Sequence, residues 1–425
     1  MIAKCEVCPL GRVHRKNDEF FPVMAEVHGD DKIVLLGEAP GSHEVLEGRP
    51  FVGPSGAELQ GALDACGLRR DECQINNVIA CRPPQNKLDV FNAQVGRMNV
   101  RRKKADKPLL DGPISCCRPR LLEELDGHTQ IICMGATAAA AIRGGNPSIM
   151  GIRGACEEIP MPWGVVKVAY TVHPAFVLRS PKWRGVFHGD MARALRYFRD
   201  ELTWQDPEIR IAGNAAEVAE GLKELILCGK PVAYDVETDA KNPLAANLRC
   251  VAIANENLSI VVPILRIDGT PFFEGRELKI VRTLLQAFLK FGSIPILGHN
   301  AGQYDRLVCE NQLDVTPKLS ADTLLLHLLV DNEMPHNLGF VTSVYTDFIE
   351  AWKSNHTAVT TKDDEELHIY CAKDACVTAR IATPLAHQIE ARDQWHLVER
   401  EHTLQQVGVG MQRLGMRVDF DTVHR

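Results

Sequence analysis

The chain has 425 residues, 45% of them apolar and 24% charged, with 14 Cys and a formal net charge of −7. That length predicts two or three domains, each with its own core. No window has the uninterrupted apolar run of a bilayer span, and the start MIAKCEVCPLGR lacks the apolar centre of a signal peptide, so a membrane partner is excluded and a reducing cytoplasm is expected.

In a reducing compartment cysteines are thiols or metal ligands rather than disulfides, and nine of the 14 lie in residues 1–200. Charge is uneven too. Residues 1–200 carry a net +4 and the remainder −11. An acidic half still suits a nucleic-acid substrate if some of its carboxylates hold divalent cations.

Along the chain, C-x-x-C comes first, at Cys5 and Cys8. Residues 32–200 then alternate apolar runs that read as strands (KIVLLGEAP, QINNVIA, TQIICMGA, VVKVAYTVHP) with helix-like runs (SGAELQGALDACG, SCCRPRLLEEL, ATAAAAI). This alternation predicts α/β layering, with the chemistry on loops at strand C-termini. Between Pro84 and Ser115 the pattern lapses into NVRRKKADKPLLDGP, which reads as an inserted, solvated basic loop. HGDMARALRYFRDEL closes a first domain over 1–202, and TWQDPEIRIAGN reads as a boundary. A second α/β domain follows over 208–398, with strands at PVAYDVET, LRCVAIAN, LSIVVPI and IPILGHN, and 399–425 reads as the opening of a further region.

The stretch GEAPGSHEVLEGRPFVG at the end of KIVLL lacks G-x-G-x-x-G, and its Pro residues remove amide donors, which argues against a phosphate cradle for a nucleotide cofactor. Cys81, at a strand end, and the Cys116/Cys117 pair, at a helix start, give Cys5 and Cys8 partners for one zinc or one iron–sulfur cluster.

GEAPG, GRPFVG, NNVIACRPPQN, IRG and VHPAFVLRSP, in this order behind C-x-x-C, resemble the family 4 uracil-DNA glycosylases over residues 1–198. The resemblance implies an α/β/α sandwich and a [4Fe-4S] cluster on Cys5, Cys8, Cys81 and Cys117, with Cys116 as the alternative fourth ligand. The interval from Cys81 to Cys117 is longer than the family's. It further implies that Phe51 stacks on an extruded uracil, Asn77 reads its edge, His173 donates to O2, Glu38 positions water and Gly37 lines the pocket. Arg101, Arg102, Lys103, Lys104, Arg153 and Arg179 are the expected DNA contacts. A module that senses uracil without excising it is the other reading of this domain. Ser42 and His43 depart from the family's pattern.

In YDVET, strand alternation turns Asp235 and Glu237 to one face; HNAGQYD sets Asp305 at a helix start, and YCAKD sets Tyr370 and Asp374 one helical turn apart. This set resembles the DEDD exonucleases with a tyrosine variant, as in the proofreading domains of A-family DNA polymerases, over residues 208–395. The resemblance implies a ribonuclease H-like domain with two Mg²⁺ or Mn²⁺ on Asp235, Glu237, Asp305 and Asp374, and water oriented by Tyr370. Asn300, Asp322 and Thr323 are read as supporting structure. GVGMQRLGMRVDFD resembles the passage into a polymerase domain. The partners implied are uracil-containing DNA, DNA 3′ ends and the remainder of a DNA polymerase, in a bacterial or phage-infected cytoplasm.

Overall fold

The computed structural model describes residues 4–16, 21–29, 32–291, 293–350 and 363–415. They form two compact units. The first runs to Thr203 and takes in a return segment starting at Asp347; the second holds the rest from Trp204. No described helix is long and apolar enough to cross a membrane.

The first unit is built on β1 (Ile33–Gly37), β2 (Cys73–Asn77), β3 (Gln130–Met134), β4 (Cys156–Met161) and β5 (Gly164–Thr171), in the order β2-β1-β3-β5-β4. All neighbours are parallel except β4 and β5. Val34, Leu35 and Leu36 are all fully buried, because both faces of the sheet are covered. Val34 and Leu36 join a core with the helices Leu88–Lys104, Pro113–Leu125 and Ala136–Arg143, whereas Leu35 joins one with Pro54–Cys66 and Arg184–Phe198.

One expectation is corrected here. The basic stretch is no inserted loop through Lys104: Leu88, Phe91 and Val95 lie on one face of a 17-residue helix and pack into the core that holds the cysteines. Arg101, Arg102, Lys103 and Lys104 form its last turn, where cations complement the negative end of the helix dipole.

The second unit has β6 (Glu208–Ile211), β7 (Val232–Thr238), β8 (Leu248–Ala254), β9 (Leu258–Pro263), β10 (Ile296–Gly298) and β11 (Leu319–Asp322), in the order β11-β10-β7-β8-β9-β6. Strand β6 lies inside the expected boundary segment TWQDPEIRIAGN. It pairs parallel with β9 at the sheet edge, and its half-exposed pattern explains why the sequence hides it. On β7, Val232, Tyr234 and Val236 face one core, and the alternate positions turn toward the 28-residue helix Asp364–Ala391. Asp363 caps that helix by accepting the N–H groups of Glu365 and Glu366. Of the segment that resembles a passage into a polymerase, residues 416–421 lie outside the described residues.

Candidate functional site

In the first unit a cavity of about 620 Å³ opens at the C-terminal ends of the parallel strands, lined by Glu38, Phe51, Asn77, Gly135, His173 and Arg179 among others. Register brings them together. Gly37 on β1 pairs with Asn77 on β2, and Met134 on β3 with Thr171 on β5, two residues before His173. A Cβ on Gly37 would lie 2.5 Å from the Phe51 ring and 2.6 Å from Asn77 Oδ1, so only glycine lets these two side chains meet the strand end.

Asn77 is 3% exposed, and its Oδ1 is buried without a hydrogen-bond partner among the described residues. Such an orphan is costly in a folded protein and points to a ligand. His173 Nδ1 accepts the N–H of Ala175 at 3.1 Å, which leaves the proton of the neutral ring on Nε2. Desolvation by the pocket walls, followed by the nearby Arg179 cation, lowers its pKa to about 4, so the ring is neutral at physiological pH. The rings of Phe51 and His173 stack with centroids 5.6 Å apart. Glu38 accepts the Thr137 hydroxyl at 2.5 Å.

Phe51 is held in a left-handed conformation, φ 51°, which an aromatic residue adopts only under constraint. Two networks supply that constraint. Glu44 accepts backbone N–H groups from Gly41 at 3.0 Å, Val52 at 3.2 Å and Gly53 at 2.9 Å, clamping both ends of the loop. Arg70 donates to the carbonyls of Pro50 at 2.7 Å and Phe51 at 3.1 Å and pairs with Glu26 at 2.8 Å. Sequence reading missed Glu44. Its spacing of three residues from Gly41, at the start of the helix Ser42–Glu47, is the capping signal that reveals it. Glu44→Ala leaves three amides without their acceptor and is expected to destabilise the first unit by about 3 kcal/mol in urea unfolding.

Burial alone would raise the Glu26 carboxyl, but hydrogen bonds from Arg70, Arg49 and His28 outweigh it and hold the pKa at about 2. With a folded pKa below the unfolded value, Glu26 contributes stability that is present at neutral pH and lost as pH falls from about 4.5 toward 2. His173 acts in a higher window, because its depressed pKa makes the unfolded state bind the extra proton between pH 6.5 and about 4. Urea midpoints should therefore fall already between pH 7 and pH 5, by on the order of 1 kcal/mol after allowance for partial exposure, and more steeply below.

Cys5, Cys8, Cys81 and Cys117 lie within electrostatic reach of one another. Burial first, and then Cys117, Cys5 and Cys8, push the Cys81 thiol up to about 12. Burial and Cys8 raise Cys5; burial likewise raises Cys117, with Cys8 and Cys5 adding to it. Cys116 is raised to about 12 by burial and Cys8.

Of the expected DNA contacts, Arg179 stands exposed at the cavity rim, and Arg101, Lys103 and Lys104 are exposed on their helix. Arg153 is a correction. Its side chain is 3% exposed and pairs through two nitrogens with buried Asp190, so it is a core ion pair turned away from any phosphate.

In the second unit Asp235, Glu237 and Cys371 offer ligand atoms within 4.8 Å of one another. Cys371, which the sequence reading passed over beside Tyr370, lies with its Sγ 3.4 Å from Asp235 Oδ2. Asp305 begins the helix Tyr304–Gln312, and Tyr370 and Asp374 lie one turn apart on Asp364–Ala391. Burial, and then the charges of Asp235, Asp322 and Asp374, drive the Asp305 carboxyl far above its usual range. Crowded hard oxygen donors of this kind fit divalent cations such as Mg²⁺ or Mn²⁺. Asp322 is fully buried and accepts the N–H groups of Asn300 at 2.8 Å and Leu324 at 3.0 Å, while Thr323 donates to the Gly298 carbonyl at 3.0 Å.

The chain thus joins a pocket at the strand ends of a mostly parallel sheet to an acidic site on a mixed six-stranded sheet. Residues 25–199 match the uracil DNA glycosylase superfamily and residues 209–390 the 3′-5′ exonuclease family of A-type DNA polymerases. The type-4 uracil-DNA glycosylase of Pyrobaculum aerophilum is 34% identical over 196 residues, covering 45% of this chain and 88% of that one. Through its first unit the chain belongs to the type-4 uracil-DNA glycosylases. DNA polymerase I of a Synechocystis species is 28% identical over 218 residues, 48% of this chain and 21% of the polymerase. Among solved structures, Brucella melitensis NrnC with bound Mg²⁺ covers 50% of this chain and 98% of its own at 18% identity and a TM-score of 0.38.

Proposed function

We propose that the first unit excises uracil from DNA by hydrolysing the N-glycosidic bond and that the second removes 3′ nucleotides by metal-dependent hydrolysis. The observation that carries the first half is the orphaned Asn77 Oδ1 beside a His173 ring whose only proton is on Nε2. An extruded uracil satisfies both: its N3–H donates to Asn77 Oδ1, and its O2 accepts from His173 Nε2–H as negative charge builds on the departing base. Phe51 offers a flat face for stacking, and Glu38, oriented by Thr137, holds the water. Cys5, Cys8, Cys81 and Cys117 would hold a [4Fe-4S] cluster, which supplies a structural anchor for the N-terminal segment. The exposed Arg101, Lys103, Lys104 and Arg179, with Arg102, support contact with DNA phosphate.

In the second unit Asp235, Glu237, Asp305 and Asp374 would hold two Mg²⁺ or Mn²⁺ ions, which stabilise the attacking hydroxide and the leaving 3′ oxygen. Tyr370 orients the attacking water. The partial match to a polymerase supports a DNA polymerase as partner. The test uses uracil-containing single-stranded and duplex DNA, with EDTA in one arm. Alkali-labile sites in every arm and 3′ shortening only without EDTA are expected. Absence of such sites overturns the glycosylase reading, and shortening that survives EDTA overturns the metal reading.

A further inference from the structure

Arg120 is 4% exposed and lies on the helix Pro113–Leu125, one turn beyond Cys116 and Cys117. Its Nη2 donates to the carbonyls of Asn77 at 2.7 Å and Val78 at 3.0 Å. Its Nη1 donates to Glu124 Oε2 at 2.5 Å and Asn76 Oδ1 at 3.3 Å, and Asn76 Oδ1 in turn accepts the backbone N–H of Asn77 at 2.7 Å. One guanidinium therefore fixes both ends of the Asn77 backbone. Its third nitrogen, Nε, is buried with no hydrogen-bond partner among the described residues. The strand end it grips at Asn77 and Val78 leads within three residues to Cys81.

We infer that Arg120 is a positioning residue that ties the iron–sulfur cluster to the uracil pocket, its Nε–H donating to a cluster sulfur while its two outer nitrogens hold Asn77 in place. This rests on the reading of Cys5, Cys8, Cys81 and Cys117 as cluster ligands. A buried [4Fe-4S] group on four thiolates is anionic, so a cation beside it favours the reduced form, and hydrogen bonds to its sulfurs tune the same balance. The forked geometry and the charge are separable. Lysine keeps the charge but cannot grip two carbonyls and a carboxylate together.

The test compares the anaerobically purified full chain with Arg120→Lys and Arg120→Met. Iron and sulfide assay of the wild type addresses the cofactor alone: about four irons per chain are expected, and a zinc-loaded protein overturns the cluster reading without reference to Arg120. In iron-replete Arg120→Met the reduction potential should move to more negative values and KM for uracil-containing DNA should rise about tenfold. Arg120→Lys should keep a potential near the wild type while showing the raised KM. Wild-type potential and KM in iron-replete Arg120→Met overturn the inference. If the variants do not fold, wild-type protein carrying ¹⁵N-labelled arginine gives the answer: after one-electron reduction with dithionite makes the cluster paramagnetic, it should show ¹⁵N hyperfine coupling, and no coupling overturns the proposal.

Discussion

His173→Ala is expected to slow uracil release from DNA by about 10²–10³-fold, the usual cost of removing one donor aimed at developing negative charge. The expectation follows from the ring's fixed tautomer. The Ala175 N–H occupies Nδ1, so Nε2–H is the only donor the neutral ring can present to the cavity. Because burial and Arg179 hold its pKa at about 4, this donor is uncharged at working pH, and excision should not lose activity through a histidine titration near pH 6.5. Single-turnover release of labelled uracil checks both points. An unchanged rate in His173→Ala removes the residue from the mechanism; wild-type chain that binds uracil-containing DNA tightly without releasing base favours the sensing module instead.

Asp374→Ala should reduce 3′ shortening of a 5′-labelled oligonucleotide by about a thousandfold, since bound metal supplies several kcal/mol of transition-state stabilisation and each 1.36 kcal/mol is tenfold in rate. Asp374 is 3% exposed and adds to the field that raises Asp305, so its loss removes both a proposed ligand and part of the charge that would draw cations in. Calorimetric Mn²⁺ titration should show weakened binding alongside the lost activity. Uracil excision by the same variant should be unchanged. Shortening at the wild-type rate would remove Asp374 from the metal site.

Most of the fold was legible because the strands are simple apolar runs. In KIVLL the run Val34, Leu35 and Leu36, buried on both faces, marks a central strand, and D-x-E on such a run fixes a shared face by alternation alone. The misreadings fell where local pattern is weak. The helix Leu88–Lys104 shows only Leu88, Phe91 and Val95 as its buried stripe, amid polar and basic residues that resemble loop. Strand β6 is only four residues long and half-exposed at a sheet edge, too short for its alternation to stand out. Arg153 looked like any surface arginine until Asp190, 37 residues away, was seen to neutralise it.

By itself, then, the sequence determined where most strands and helices lie and which polar residues stand at their ends, because strand and helix periodicities and motif spacings are local properties of the chain. Only the tertiary structure decided what fixes those residues. Glu44 clamping the Phe51 loop, Ala175 choosing the His173 tautomer, Cys371 beside Asp235, and Arg120 between the cysteines and Asn77 all depend on exact approach of side chains to backbone groups. Hydrogen-bond geometry across a fold is set by packing, and packing leaves no period in the sequence.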